Sequence, residues 1–230
     1  MSRRLDLLLY VITERKYSRN RPLEELIEPC LKGGASVVQL RDKTATTRDL
    51  LRQASKLRTL TEKYSALFIV NDRVDVALAS SADGVHLGMD DMQPELAREL
   101  LGPERVIGLT VRKQSEARAA EMRGVDYVAA GSIFQSKTKR AEIIGLDGLE
   151  EISRGTTLPV VAIGGIGIED LEEIFRRGAR GVAIAREVLD TQEIEQRARS
   201  FRLAIEGLVS RGSSESLEGS QVKYGRDSDT

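Results

Sequence analysis

Residues Tyr127–Lys139 read YVAAGSIFQSKTK, an apolar run that gives way to small and hydroxylated residues and ends in a lysine. The first four residues predict a buried strand, and Gly131 allows the backbone to turn or to approach a ligand. Ser136, Thr138 and Lys139 then bring hydroxyl donors beside a positive charge, which suits an anion. An ordinary solvated loop has the same composition, so this stretch alone predicts a strand end and leaves its purpose open.

Seven other apolar segments resemble the start of this stretch, and segments with helical spacing separate them. With strand six predicted at Tyr127–Phe134, the other strands are predicted at Asp6–Thr13, Ser36–Leu40, Ala66–Val70, Gly84–Leu87, Val106–Val111, Pro159–Ile163 and Gly181–Ala185. The predicted helices are Pro22–Leu31, Thr46–Tyr64, Val74–Ala79, Pro94–Leu101, Ser115–Arg123, Leu146–Arg154, Glu169–Arg177 and Thr191–Leu208. Regular alternation predicts an α/β fold, and eight units favour a (β/α)8 TIM barrel. A doubly wound sheet is the alternative, but no G-x-G-x-x-G motif follows the first strand.

The composition changes after the last predicted helix. From Ser210 to Thr230 the chain is rich in serine, glycine and charged residues and has few apolar side chains. Such a segment cannot bury enough apolar surface to fold by itself. We therefore predict one barrel domain over residues 1–209 and a disordered tail over residues 210–230.

The overall composition narrows the possible partners. The 230 residues are 40% hydrophobic, and 35 Lys plus Arg against 36 Asp plus Glu give a net charge of -1. This balance predicts no broad attraction to nucleic acid or to an acidic membrane, so any phosphate site must be local. No apolar stretch is long enough for a membrane span or a signal peptide, and a cytoplasmic protein is expected. The single cysteine, Cys30, is predicted to be a small core residue near a helix end.

Polar residues follow the predicted strands at the end where a (β/α)8 barrel builds its active site. They are Gln39, Arg41 and Lys43 after strand two, Asn71 and Asp72 after strand three, His86, Asp90 and Asp91 at and after strand four, Thr110 in strand five, Ser136, Thr138 and Lys139 after strand six, Gly164-Gly165 after strand seven and Arg186 after strand eight.

Each of these positions also has a plainer interpretation. Asp72 and Asp91 suit helix caps, and Gly164-Gly165 suits a tight turn. Arg186 suits a surface charge near a helix start. The only histidine, His86, is predicted to be a hydrogen-bonded structural residue because it lies in an apolar strand.

Their joint placement favours a site for phosphate groups and a metal. Several cations and a Gly-Gly loop offer places for two separate phosphates, and Asp72 and Asp91 offer hard oxygen ligands. Mg²⁺ prefers one or two carboxylates together with substrate phosphate oxygens. The sequence has no Cys/His cluster of the kind that zinc requires.

In this order and spacing, the motifs between about Leu9 and Leu189 resemble those of the thiamine phosphate synthase family. They read YVIT, VVQLRDK, FIVNDRVDVAL, GVHLGMDD, IGLTV, AAGSIFQSKTK, AIGGI and GVAIAREVL. The resemblance implies a Mg²⁺-dependent transferase that joins hydroxymethylpyrimidine diphosphate to a thiazole phosphate or its carboxylate. The products would be thiamine phosphate and pyrophosphate.

The resemblance also implies which residues bind each ligand. Those for the pyrimidine diphosphate are Gln39, Leu40, Arg41, Asp42, Lys43, Asn71, Thr110 and Lys139. Those for the thiazole phosphate are Ser136, Lys137, Thr138, Gly165, Ala185 and Arg186, and those for Mg²⁺ are Asp72 and Asp91. Lys139 and Arg41 would be the catalytic residues, because they neutralise the departing pyrophosphate.

Two other functions remain as alternatives. The thiazole tautomerase, an isomerase of the same fold, is expected by family pattern to carry a histidine just after the strand-six glycine, where this chain has Ser132. A non-catalytic barrel that binds phosphate ligands would bind without turnover. The sequence predicts small-molecule partners, no nucleic acid and no membrane, and it leaves open a homo-oligomer.

Overall fold

The computed structural model describes residues 5–18, 21–135 and 142–221. Eight parallel strands pair in chain order, and the eighth pairs with the first to close a barrel. The strands are β1 Leu9–Ile12, β2 Val37–Leu40, β3 Leu67–Asn71, β4 Gly84–Leu87, β5 Val106–Val111, β6 Tyr127–Ala130, β7 Val160–Ile163 and β8 Gly181–Ile184. The predicted (β/α)8 TIM barrel is therefore confirmed.

Helices cover the outside of the barrel. They are α1 Arg15–Ser18, α2 Leu23–Lys32, α3 Thr47–Lys63, α4 Val74–Ala79, α5 Pro94–Leu101, α6 Gln114–Glu121, α7 Gly145–Arg154, α8 Leu171–Arg176, α9 Arg186–Leu189 and α10 Ile194–Gln221, with a short 3₁₀ helix at Ile168–Asp170 before α8. Within the described ranges, none of these helices combines the length and the apolar content needed to cross a membrane.

The strands are rich in β-branched and aromatic residues because both of their faces are buried. Successive side chains of a strand point to opposite faces, so each strand supplies two separate cores. The larger core lies between the strands and the helices, and Leu40, Phe68 and Val85 belong to it. The smaller core fills the barrel and includes Tyr10 and Tyr127.

Two aspartates fasten strands to helices at the amino-terminal end of the barrel. Asp83 Oδ2 accepts the N–H of Phe68 at 2.8 Å and Arg58 Nη1 of α3 at 2.6 Å. One strand pair further on, Asp126 Oδ2 accepts the N–H of Ile107 at 2.7 Å and Arg98 Nη2 of α5 at 2.6 Å. The repeated arrangement ties the start of β3 and of β5 to the covering layer.

Several predicted boundaries were wrong. Strand one was predicted at Asp6–Thr13 and is shorter, while strand six ends at Ala130 and not at Phe134. The chain turns at Gly131, where a Cβ would lie 2.3 Å from the carbonyl oxygen of Ile163. The one-turn helices α1 and α9 were not predicted, because four residues are too few to show a helical period.

The last helix is longer than predicted. Its end was placed at Leu208, whereas α10 continues to Gln221. The domain boundary at residue 209 and the disordered tail over residues 210–230 stay predictions, and residues 222–230 lie outside the described residues.

Candidate functional site

Three charged side chains converge after β2, β3 and β4. Lys43 Nζ lies 3.2 Å from Asp72 Oδ2, and the side chains of Asp72 and Asp91 are in hydrogen-bonding contact. Burial, followed by this contact with Asp72, raises the pKa of Asp91. Two acidic groups held together beside a lysine are suited to share a proton or a cation.

The backbone around Asp72 aims its carboxylate at this site. Asp72 has a φ of 62°, in the left-handed region that aspartate tolerates better than most residues. Its N–H donates to the carbonyl oxygen of His86 at 2.8 Å, which continues the β3–β4 pairing by one residue. The sequence placed Asp72 near the site, but it gave no sign of this conformation.

The capping interpretation of the two aspartates is wrong. The N-cap residues of α4 and α5 are Arg73 and Gln93. Asp91 Oδ2 instead accepts the N–H of Gly88 at 2.7 Å, inside the loop after β4. The carboxylates of Asp72 and Asp91 are therefore free of a helix-capping role.

These two carboxylates are the residues that could hold a metal ion. In residues 5–18, 21–135 and 142–221 no group of three or more His, Cys, Asp and Glu side chains is arranged to do so. Asp72 and Asp91 alone fit a hard cation that takes most of its ligands from substrate oxygens and water. The site therefore suits Mg²⁺ better than a metal that needs a complete protein cage.

The end of β1 holds the loop that follows β2. Thr13 Oγ1 accepts the N–H of Arg41 at 2.8 Å and donates to its carbonyl oxygen at 3.2 Å. Arg41 Nη1 donates to Glu14 Oε2 at 3.0 Å, and both side chains are about a quarter exposed. The guanidinium of Arg41 is thus already paired with a carboxylate, a partner that the sequence analysis missed.

Two residues of the predicted pyrimidine diphosphate set point away from the site. The side chain of Leu40 packs in the core outside the barrel, so only its backbone is available at the strand end. Asp42 Oδ1 accepts hydrogen bonds from the N–H and hydroxyl of Thr44 and from the N–H of Ala45, between 2.8 and 3.1 Å. Asp42 therefore stabilises its own loop.

A chain of hydrogen bonds crosses the barrel interior and joins two predicted substrate-binding residues. Gln39 Nε2 donates to the hydroxyl of Tyr10 at 2.7 Å, and that oxygen lies 2.9 Å from the hydroxyl of Tyr127. The hydroxyl of Tyr127 lies 2.9 Å from Nδ1 of His86, and Nε2 of His86 lies 2.9 Å from Thr110 Oγ1. All of these side chains except Thr110 are buried. The prediction that His86 is a hydrogen-bonded structural residue is confirmed.

Burial keeps the side chains of His86, Tyr10 and Tyr127 uncharged. Desolvation lowers the pKa of His86 to about 4, although the carboxylate of Asp91 acts in the opposite direction. Desolvation likewise raises the pKa of Tyr10 and of Tyr127. The imidazole is therefore neutral at pH 7, with one ring nitrogen donating and the other accepting.

A glycine in β5 makes room for Tyr127. A Cβ at Gly108 would lie 2.1 Å from Cζ of Tyr127. The ring of Tyr127 stacks on that of His86, with centroids 5.6 Å apart. Sequence analysis missed the roles of Tyr10 and Tyr127, because in an apolar strand a tyrosine has the same pattern as any large hydrophobic residue.

The loops after β6, β7 and β8 form the other side of the barrel mouth. Gly164 and Gly165 have positive φ values of 106° and 67°, and a Cβ at Gly165 would lie 2.9 Å from the carbonyl oxygen of Gln135. The loop after β7 thus packs closely against the loop after β6. The predicted residues Ser136, Lys137, Thr138 and Lys139 lie outside the described residues.

Ala185 and Arg186 lie at the start of α9, directly after β8. The guanidinium of Arg186 pairs with the carboxylate of Glu187. Arg197 of α10 lies 3.4 Å from the same carboxylate. Glu187 thus sits between two arginines, and the sequence analysis missed this arrangement as well.

Cys30 takes no part in this site. It is fully buried in α2 and its Sγ lies 3.2 Å from the carbonyl oxygen of Leu26. Burial raises the pKa of its thiol. The predicted core role of Cys30 is confirmed.

The fold and the side chains at its strand ends define a (β/α)8 barrel, a class of proteins in which active sites lie at the carboxyl ends of the strands. A family model described as thiamine monophosphate synthase matches residues 9–188. The chain therefore belongs to the thiamine monophosphate synthase family, as its motifs indicated.

Individual relatives agree with this assignment over nearly their whole length. The thiamine-phosphate synthase of Pyrococcus horikoshii is 44% identical over 204 residues, which are 88% of this chain and 97% of the relative. That of Clostridium novyi is 42% identical over 195 residues, covering 84% and 96%. The solved thiamine phosphate pyrophosphorylase of Pyrococcus furiosus superposes with a TM-score of 0.82 at 41% identity, covering 88% and 97%.

Proposed function

We propose that this enzyme transfers the pyrimidine group of hydroxymethylpyrimidine diphosphate to the nitrogen of a thiazole phosphate. The products are thiamine phosphate and pyrophosphate. The observation that carries the proposal is the convergence of Lys43, Asp72 and Asp91 at the strand ends of a barrel of this family. Opposite charges held together at one barrel mouth suit a diphosphate that binds with a cation.

The pyrimidine diphosphate lies, in this proposal, over β2 to β5. The side chains of Gln39 and Thr110 contact the pyrimidine diphosphate from within the barrel mouth, with Asn71 at the end of β3. Arg41 and Lys43 face its phosphates. Because Arg41 and Lys43 are already paired with Glu14 and Asp72, each exchanges a carboxylate partner for a phosphate when the substrate binds.

The metal in this proposal is Mg²⁺, and Asp72 and Asp91 hold it. When bound, Mg²⁺ neutralises charge on the diphosphate as pyrophosphate departs. Burial, followed by the contact with Asp72, raises the pKa of Asp91, and two ionised carboxylates this close repel each other. Their proximity is therefore an arrangement that a divalent cation stabilises.

We further propose that substitution is dissociative. Pyrophosphate leaves an electron-rich aminopyrimidine, and the stabilised cation is captured by the thiazole nitrogen, which carries no proton. No general base is needed, and the chain's single histidine is neutral and occupied on both ring nitrogens. Arg41 and the catalytic lysine of the proposal, Lys139, assist the departure electrostatically.

The thiazole phosphate occupies the opposite side of the mouth. Gly165 brings its backbone close to the β6 loop, and Arg186 stands at the start of α9. We assign the phosphate to Gly165, Ala185, Arg186 and the Ser136–Thr138 segment. Without ligand, Arg186 pairs with Glu187. On binding, the phosphate replaces Glu187 as the partner of Arg186.

A thiazole tautomerase has less support. Proton transfer at the thiazole needs a group that titrates near neutral pH, but burial lowers the pKa of His86 to about 4. Ser132, at the position after the strand-six glycine, donates its hydroxyl to the carbonyl oxygen of Phe134 at 2.8 Å. Ser132 therefore stabilises its own loop.

The experiment is a turnover assay with both substrates and Mg²⁺. We expect thiamine phosphate and pyrophosphate in equal amounts. Binding of both ligands without product would favour the non-catalytic barrel, and isomerisation of the thiazole alone would favour the tautomerase.

The metal assignment has its own test. We expect Asp72→Asn to raise the Mg²⁺ concentration for half-maximal turnover by about tenfold or more. Asp75→Asn is the matched control, since Asp75 is exposed and pairs with Arg73. Equal Mg²⁺ dependence in Asp72→Asn and Asp75→Asn would show that Asp72 is not a metal ligand.

A further inference from the structure

The hydrogen-bond chain through the barrel has a direction. At one end, Gln39 uses Nε2 as the donor to Tyr10, so the other amide atom, Oε1, is the one left to accept a hydrogen bond. No described residue donates a hydrogen bond to that oxygen. At the other end, Thr110 meets Nε2 of His86. Between the two ends, each group can donate only one hydrogen.

The donor at one end fixes the donor at every later step. The hydroxyl of Tyr10 accepts from Gln39, so its own hydrogen goes to Tyr127 at 2.9 Å. Were Tyr127 to donate to Tyr10 instead, the hydrogen of the buried Tyr10 hydroxyl would have no acceptor among the described residues, which is costly inside a protein. Tyr127 must then donate to Nδ1 of His86.

His86 passes this direction to Thr110. A neutral imidazole that accepts at Nδ1 carries its proton on Nε2 and donates it to Thr110 Oγ1. The hydroxyl of Thr110, which is half-buried, accepts this hydrogen bond and keeps its own hydrogen to donate to another group. The hydrogen-bond chain thus presents an acceptor, Gln39 Oε1, at one end and a donor, the Thr110 hydroxyl, at the other.

We propose that Tyr10, Tyr127 and His86 are positioning residues that fix this donor and acceptor pattern for the pyrimidine diphosphate. This inference rests on the proposed function, because Gln39 and Thr110 are assigned there to that substrate. Gln39 Oε1 accepts from the amino group of the pyrimidine, and the Thr110 hydroxyl donates to an acceptor of the same molecule. A ligand with the reverse pattern leaves both protein groups unpaired.

The geometry supports a positioning role in two further ways. The rings of Tyr10 and Tyr127 lie with centroids 6.0 Å apart, and Tyr127 stacks on His86, so packing holds the same groups that the hydrogen bonds join. Gly108 leaves the space that the ring of Tyr127 fills. Packing and hydrogen bonds therefore fix the same three side chains.

The first test is the tautomer of His86 in the ligand-free protein. Because the chain has one histidine, ¹⁵N NMR shows a single imidazole. We expect a neutral ring at pH 7 with the proton on Nε2. A proton on Nδ1, or a charged ring, would overturn the proposed direction of the chain. This measurement needs no turnover, so it stands apart from the test of the proposed function.

The second test uses tyrosine variants and the same NMR signal. Tyr127→Phe removes the donor to Nδ1, so we expect His86 to lose its single fixed tautomer. Tyr10→Phe leaves the contact between Tyr127 and His86 intact, and it should keep the tautomer while releasing Gln39. If both tyrosines had a purely structural role, the two variants would change the His86 signal in the same way. Different tautomer behaviour in the two variants therefore supports the positioning role. If Tyr127→Phe does not fold, the tautomer of His86 in the native protein and pyrimidine diphosphate binding by Tyr10→Phe carry the test.

The third test is calorimetric binding of each substrate separately. In Tyr10→Phe and Tyr127→Phe we expect the Kd of the pyrimidine diphosphate to rise about tenfold and the Kd of the thiazole phosphate to stay the same. Tyr64→Phe is the matched control, because the Tyr64 hydroxyl contacts Glu28 outside the barrel. Unchanged pyrimidine diphosphate binding in both variants would overturn the proposal, as would no binding to the native protein.

Discussion

Burial of His86 couples its protonation to the stability of the barrel. The pKa of His86 is about 4 in the folded protein and about 6.5 in an unfolded chain. The unfolded state therefore binds the proton more tightly between these values, and protonation favours unfolding. We expect this residue to cost up to about 3 kcal/mol of unfolding free energy as the pH falls from about 6.5 to about 4.

Urea unfolding at a series of pH values checks this expectation. Aspartates and glutamates titrate in the same range, so the quantity to compare is the difference between the native protein and His86→Gln. That difference should shrink on acidification and level off below the folded-state pKa. A difference that is constant from pH 7 to pH 4 would mean that folding does not lower the pKa of His86.

Single residues show what sequence patterns can and cannot predict. His86 was predicted to be hydrogen-bonded because a polar ring in an apolar strand needs partners. Its partner Tyr127 could not be identified, since the contact depends on which strands face each other across the barrel. Asp72 was placed correctly at a strand end, but its left-handed backbone depends on the neighbouring strand.

Connections between elements hold the amino-terminal end of the barrel. Asp126 joins the N–H of Ile107 in β5 to Arg98 of α5. Asp126→Ala leaves a strand N–H and a partly buried guanidinium without this carboxylate. We expect the free energy of unfolding to fall by about 1 to 3 kcal/mol. Turnover at 25 °C should be unchanged, because the site lies at the other end of the strands.

Chemical unfolding followed by circular dichroism measures this effect. Asp147→Ala is the matched control, because the Asp147 side chain is 92% exposed and its ion pair with Arg177 contributes little. If both variants lose the same small amount of stability, the carboxylate of Asp126 does not fasten β5 to α5.

The order and type of the longer elements were predictable, but several of their ends were not. Eight apolar runs separated by amphipathic segments contain enough repeats to predict a closed barrel. Strand six was extended too far, because Ile133 and Phe134 continue the apolar run after the backbone has turned at Gly131. Hydrophobicity reports burial, and buried loop residues carry the same signal as strand residues.

At the scale of the whole molecule, stability and chemistry are separated along the barrel axis. Aspartate and arginine pairs tie strands to helices at the amino-terminal end, and the residues of the candidate site follow the strands at the carboxyl end. The family and the enzyme class predicted from the motifs are confirmed by the relatives. The catalytic role of Lys139 stays a prediction, because residues 136–141 lie outside the described part of the chain.

The positions of the buried residues in α10 predict how much of the C-terminal end the fold needs. Ile194, Ala198, Phe201 and Ile205 of α10 are buried, and α10 packs on α2. All four lie before residue 209, so a chain that ends at Val209 keeps them. We expect its free energy of unfolding to change by less than about 1 kcal/mol and its turnover to equal that of the full chain.

A shorter truncation provides the contrast. A chain that ends at Ser200 loses Phe201 and Ile205, which are both fully buried, and removing two such side chains costs at least about 3 kcal/mol. Thermal unfolding and turnover of the two truncated proteins separate the possibilities. A large loss of stability in the longer chain would mean that α10 packs through its later turns, and lost turnover with normal stability would place residues 210–230 at the active site.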